Sequence, residues 1–188
     1  MRWRKDSRFD ASELSMASLC PAPILEAVID KWHPKTWLDV GCGTGQAMHY
    51  LLQRGIDCVG LEGSEAAIAA SPVAERIRCV NLNNPVQLSQ TFDLVWSYEV
   101  AEHIHPNFVD PFVDTLTGHG DIVLMSAAQP GQGGAGHFNV QPPAYWIAKL
   151  RQRTFMFLKD FTDCLHQLDN SVCFCRNMMA FQRKPPCS

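Results

Sequence analysis

The run Leu38-Asp39-Val40-Gly41-Cys42-Gly43-Thr44-Gly45 limits the possible folds more than any other stretch of this chain. Thr36 to Val40 reads as a short buried strand. The residues from Gln46 to Arg54 carry Met48, Leu51 and Leu52 on one helical face, with Gly55 as a stop. A glycine-rich turn between a buried strand and a helix is the first unit of a nucleotide-binding α/β sheet. Its glycines let the backbone turn tightly and let a ligand reach the main chain without meeting a Cβ.

The same alternation runs through the rest of the chain. Pro21 and Pro23 open a helix with Ile24, Leu25, Val28, Ile29 and Trp32 at helical spacing, and His33-Pro34 ends it. Strands are expected over 57–62, 77–80, 92–97 and 120–127, and a final pair over 154–158 and 177–184. Helices are expected from Ser64 as cap to Ser71, over 99–104, from Asp110-Pro111 as N-cap and first residue to Gly118, and over 142–151. This order predicts an α/β chain with a Rossmann-like, doubly wound, mostly parallel seven-stranded sheet and a C-terminal antiparallel strand. At 188 residues the length suits one domain over 21–188, preceded by a polar segment or flap over 1–20.

The turn also narrows the ligand. No Gly-Lys-Ser/Thr follows it, which excludes a phosphate-binding P-loop. The dinucleotide pattern G-x-G-x-x-G/A fails as well, since its last position is Gln46 or Met48 instead of a small residue. What remains is Asp-x-Gly-x-Gly-x-Gly, with the Asp39 carboxylate just ahead of the turn. A carboxylate there opposes a pyrophosphate and suits a ligand carrying an ammonium and a sulfonium.

Residues 36–45 resemble motif I of the class I S-adenosylmethionine (SAM)-dependent methyltransferases, and the resemblance extends over roughly residues 24–184. It implies that Asp39, Gly41, Cys42, Gly43 and Gly45 surround the cofactor. Glu62, followed by Gly63, ends the second strand as the family's ribose-binding acid does. Asn81-Leu82 matches the family's Asp-hydrophobic pair beside the adenine, with Asn in place of Asp. The stretch from Thr91 to Ser97 matches the fourth strand, so the resemblance places Ser97 and Glu99 by the methionine end of the cofactor.

Glu99-Val100-Ala101-Glu102-His103 follows that strand, where this fold puts substrate chemistry. On a helix, positions i, i+3 and i+4 share a face, so Glu99, Glu102 and His103 are expected to point together. Three readings stay open. His103 acts as a general base toward a substrate hydroxyl, with Glu102 and His137 in the catalytic group. Alternatively, Glu99, Glu102 and His103 hold a divalent metal, with His137 as a fourth ligand. In the third reading the group is structural, with Glu99 framing the cofactor. The same E-x-x-E-H arrangement resembles that of metal-dependent small-RNA 2′-O-methyltransferases and of ubiquinone-type O-methyltransferases. After the fifth strand, residues 129–137 hold four glycines and read as a hinge-rich lid able to present His137, Asn139 and Gln141. Tyr145 and Trp146 are expected to pack their helix on the sheet.

Composition shapes the rest. A formal charge of −3 gives no basic footprint for nucleic acid. The N-terminus is too polar for a signal peptide and no apolar run spans a bilayer, so a cytoplasmic protein is expected. Eight cysteines lack any C-x-x-C. Cys58, Cys79 and Cys173 fall in apolar runs and are expected to be reduced, buried thiols. The resulting expectation is SN2 methyl transfer from SAM to a hydroxyl of a small-molecule or glycan- or lipid-precursor acceptor. The alternatives are RNA 2′-O-methylation, or a SAM-binding partner subunit without catalysis. Nothing in the sequence speaks to oligomeric state.

Overall fold

A computed structural model describes residues 18–168 and 174–185. The expected segment over 1–20 lies almost wholly outside the described residues, as does Cys173. Helix α1 (Ala22–Trp32) leads into β1 (Thr36–Val40), the glycine turn, α2 (Gln46–Leu52) and β2 (Asp57–Glu62). Then come α3 (Glu65–Ala69), β3 (Ile77–Cys79), β4 (Leu94–Ser97), α4 (Val109–Thr117) and β5 (Ile122–Ser126). The chain closes with α5 (Pro143–Arg151), β6 (Phe155–Phe157), α6 (Lys159–His166) and β7 (Met178–Arg183).

The sheet order is β3-β2-β1-β4-β5-β7-β6. The first five strands pair in parallel, and β7 inserts antiparallel to both β5 and β6. This is the expected sheet. Strand period two divides the core between its faces. Trp37, Leu94, Trp96, Leu124 and Ala180 meet α1, α2 and α6 on one side. Leu38, Val95, Val123, Met125 and Phe181 meet Phe112, Leu116, Trp146 and Leu150 of α4 and α5 on the other. Trp146 is fully buried in that layer, as expected. The order reverses between β1 and β4, which opens a crevice at the C-terminal ends of those strands.

Several local expectations need correction. Residues 99–104 form no helix. Only a 3₁₀ turn spans Ala101–His103, and Glu99 stands before it at φ 53°. Helix α4 starts at Val109, so Asp110 and Pro111 lie within its first turn, where Pro removes no intrahelical hydrogen bond. Helix α6 was not expected: its run is mostly polar, and Thr162 and Leu165 are its only buried residues. Cys79 is exposed, because β3 is an edge strand, whereas Cys58 is buried as expected. Cys20, Cys42, Cys58, Cys79, Cys164 and Cys175 are all free thiols. Ser64 does cap α3, its Oγ accepting from the Ala67 N–H at 3.2 Å. Among the described residues no helix is long and apolar enough to cross a membrane.

Candidate active site

The glycine turn sits at the switch point. Gly41, Gly43 and Gly45 have φ of 80°, 54° and 70°, the left-handed region that side chains disfavour. The Gly41 and Cys42 N–H groups donate to the Leu61 carbonyl at 2.7 and 3.1 Å, tying the turn to β2. A Cβ on Gly41 would overlap the Val100 side chain, and one on Gly45 would come within 2.9 Å of Val73 Cγ2. Cys42 is buried in the turn, and burial pushes its thiol well up.

Glu62 is fixed at the end of β2. Its Oε2 accepts from the Gly43 N–H at 2.8 Å, and its Oε1 from Gly63 and Ser64 N–H at 2.7 and 2.8 Å. Three backbone donors thus hold one carboxylate against the turn. Asp39 is 2% exposed on β1. Burial first, and then the charge of Glu62, push its carboxyl up to about 8. The site therefore holds a buried Asp39 carboxyl that keeps its proton to about pH 8 beside the hydrogen-bonded carboxylate of Glu62.

The other expected cofactor residues are placed less directly. Asn81 Oδ1 accepts from the Asn83 N–H at 3.0 Å, so its amide shapes its own turn. Leu82 is half-buried against the α4–α5 layer. Ser97 is fully buried and its Oγ donates to the Val40 carbonyl at 2.8 Å. That hydroxyl joins β4 to β1.

A second cluster lies after β4. The Glu99 N–H donates to Ser126 Oγ at 2.7 Å, and both carboxylate oxygens accept from Asn177 Nδ2 at 3.2 Å. These bonds hold Glu99 in its strained backbone conformation. Glu102 is 1% exposed, and its Oε2 has no partner. Burial, and then the neighbouring Glu102 charge, push Glu99 up to about 7, and burial raises Glu102 as well. Two carboxylates buried side by side share one proton or take up a cation.

The histidines come from two segments. His103 Nδ1 lies 3.2 Å from the Gly136 carbonyl, and His137 Nδ1 lies 3.3 Å from that of Gln132. A carbonyl only accepts, so each ring donates from Nδ1 and carries its lone pair on Nε2. The rings meet edge to face, with centroids 4.9 Å apart. Gly134 has no Cβ because the His137 ring occupies that space. Glu102, His103 and His137 bring one ligand atom each within 4.8 Å of one another. One carboxylate and two imidazoles suit a divalent transition metal.

Three of the four residues expected to hold a metal thus come together. Glu99 stands beside Glu102 but outside that group, since the helix that would have aligned them does not form. Ser126, Asn177 and Asn139, whose N–H donates to the Glu102 carbonyl at 3.0 Å, also belong to the site. Ser126 and Asn177 gave no signal in the sequence, because they reach Glu99 only through strand pairing. Asn139 was visible only as a polar residue following the loop glycines.

The methyltransferase-domain family matches residues 38–123. No curated protein matches by sequence. Among solved structures, the sugar N-methyltransferase KedS8 from Streptoalloteichus sp. superposes with a TM-score of 0.70 at 15% identity, covering 98% of this chain and 97% of that one. SAM-bound CalS10, an amino pentose methyltransferase from Micromonospora echinaspora, gives 0.67 at 14%, covering 90% and 91%. The methyltransferase domain of bacterial CtHen1-C gives 0.63 at 18%, covering 87% and 96%. At such identities these likenesses establish the fold.

Proposed function

We propose that this chain, matched over residues 38–123 by a methyltransferase-domain family and sharing the fold of known methyltransferases, is a SAM-dependent methyltransferase acting on a hydroxyl of a small-molecule or glycan- or lipid-precursor acceptor. The observation that carries the reading is the positive-φ turn over Gly41–Gly45 with Asp39 and Glu62 against it. A ligand bearing positive charge and two ribose hydroxyls fits that pair of acids. When bound, SAM supplies a methyl group already activated on a sulfonium.

The protein's own residues then have limited tasks. Glu62 accepts from the ribose hydroxyls while its N–H donors keep it in place. Asp39 faces the positive charge of the methionine end. Gly41 supplies the positive φ of the turn and lets Val100 pack against its main chain. Glu102, His103 and His137 are the residues that would hold a divalent metal. A metal there would polarise the acceptor hydroxyl and fix its angle of attack. In the alternative without a metal, the Nε2 lone pair of His103, exposed at the edge of this group, takes the hydroxyl proton as the methyl transfers in line. The loop over 129–137 covers the reacting atoms from one side. The sugar methyltransferases among the fold's relatives support a sugar-type acceptor. The chain's negative charge weighs against RNA, although the carboxylate–imidazole cluster is compatible with 2′-O-methylation.

The test combines binding and turnover. S-adenosylhomocysteine at a hundred times its dissociation constant should stabilise the fold by about 2.7 kcal/mol in thermal melts, with NAD giving no shift. Transfer of labelled methyl would then be followed with nucleotide sugars, amino sugars and a small RNA duplex, each with and without Mn²⁺. Sugar hydroxyl methylation that His103→Ala abolishes supports the reading. Labelling of an amino group, or of RNA alone, replaces the acceptor. Cofactor binding with no acceptor modified points to a non-catalytic partner subunit.

A further inference from the structure

Two buried polar atoms near the Glu102–His103–His137 cluster have no partner: Glu102 Oε2 and Asn139 Nδ2. Both residues are 1% exposed. Their backbones are joined, since the Asn139 N–H donates to the Glu102 carbonyl at 3.0 Å. The Asn139 amide is also oriented. Its Oδ1 accepts from Gln141 Nε2 at 3.1 Å, which turns the NH₂ group the other way. A fold seldom buries an amide donor with nothing to receive it, so such a group points to a missing acceptor.

We propose that Asn139 is a positioning residue of this centre, donating its Nδ2–H to an oxygen ligand seated there. With a divalent ion held by Glu102, His103 and His137, that oxygen would be a water in the resting protein and the acceptor hydroxyl in the reacting one. The inference rests on the reading that Glu102, His103 and His137 hold a divalent ion. A neutral amide suits this place. A cationic donor would compete with the metal, and a carboxylate would offer no hydrogen to the oxygen. The donated hydrogen bond favours negative charge on the bound oxygen, in the sense that deprotonation requires. Gln141 acts one step further out by holding the amide the right way round.

The experiment uses the full chain and Mn²⁺ as probe. Mn²⁺ affinity is read from the electron paramagnetic resonance signal of the free ion. Bound water is read from water-proton relaxation enhancement. Asn139→Ala is expected to weaken Mn²⁺ binding at least tenfold and to change the relaxation enhancement per bound ion. Gln141→Ala is expected to move both in the same direction by less, and it decides the matter if Asn139→Ala does not fold. Wild-type binding that both variants retain unchanged, in affinity and relaxation, overturns this inference and leaves the metal reading standing. A wild-type protein that binds no Mn²⁺ overturns both.

Discussion

Asp39 shows how one buried acid links stability to ligand binding. It keeps its proton to about pH 8 in the folded chain, against an ordinary value of 3.8. Between those values the folded state binds the extra proton. This contribution is therefore complete below about pH 4 and is lost as pH rises toward 8. Denaturant melts of the ligand-free protein at pH 5 and pH 8 should show that decline, and Asp39→Asn should flatten it. The same variant should bind S-adenosylhomocysteine about tenfold less tightly, a change of about 1.4 kcal/mol. Gly41 and Gly55 allow a paired test. Both have positive φ, but a Cβ on Gly55 meets nothing, whereas one on Gly41 overlaps Val100. Gly55→Ala should lose about 1 kcal/mol, and Gly41→Ala at least 1 kcal/mol more together with cofactor-product binding. Equal losses in thermal melts would remove the steric role assigned to Gly41.

Helix α4 contributes more than a face of core. His119 at its C-terminal end is 1% exposed, donates from Nδ1 to the Thr115 carbonyl at 2.8 Å, and accepts from the Leu88 N–H at Nε2 at 2.9 Å. Thr115 Oγ1 accepts from the Val86 N–H at 3.0 Å. The helix and His119 thus anchor the loop that begins at Asn81-Leu82. His119→Ala leaves the Leu88 N–H without its partner and should cost about 1–3 kcal/mol. Amide exchange at Val86 and Leu88 should accelerate, and S-adenosylhomocysteine should bind more weakly. Exchange that stays slow would show that packing alone holds the loop. The strained Glu99 is another element-level product, set by Ser126 of β5 and by Asn177 just ahead of β7.

Across the whole molecule, the C-terminal strand is internal to the sheet. β7 separates β5 from β6 and buries Met178 through Phe181. A chain ending at residue 174 would leave β5 unpaired on one side and remove Asn177 from Glu99. It should aggregate and lose its cooperative melt, as size-exclusion chromatography and circular dichroism would report. The negative overall charge belongs to this scale too. Binding to a small RNA duplex should be undetectable at 150 mM salt in a fluorescence titration, on the order-of-magnitude argument that few phosphates are neutralised.

Sequence alone determined what short-range sterics and periodicity can write. The glycine turn, the acid at the end of β2, the Ser64 cap and the order of the strands are local, since each depends on neighbours a few residues away. The resemblance to the methyltransferase motif lay in the same local segments. The expected helix over 99–104 failed because spacing cannot show a residue held at positive φ by groups more than 25 positions distant. The exposure of Cys79 followed from β3 being an edge strand, which its own three residues do not reveal. Tertiary structure alone joined Glu102 and His103 to His137, paired Asn177 with Glu99, tied the Asn139 backbone to that of Glu102, and set His119 against the loop that follows Asn81-Leu82. Those contacts arise from strand pairing and helix packing between distant segments, and the same packing buries Asp39 beside Glu62 and Glu99 beside Glu102, which raises both carboxyls.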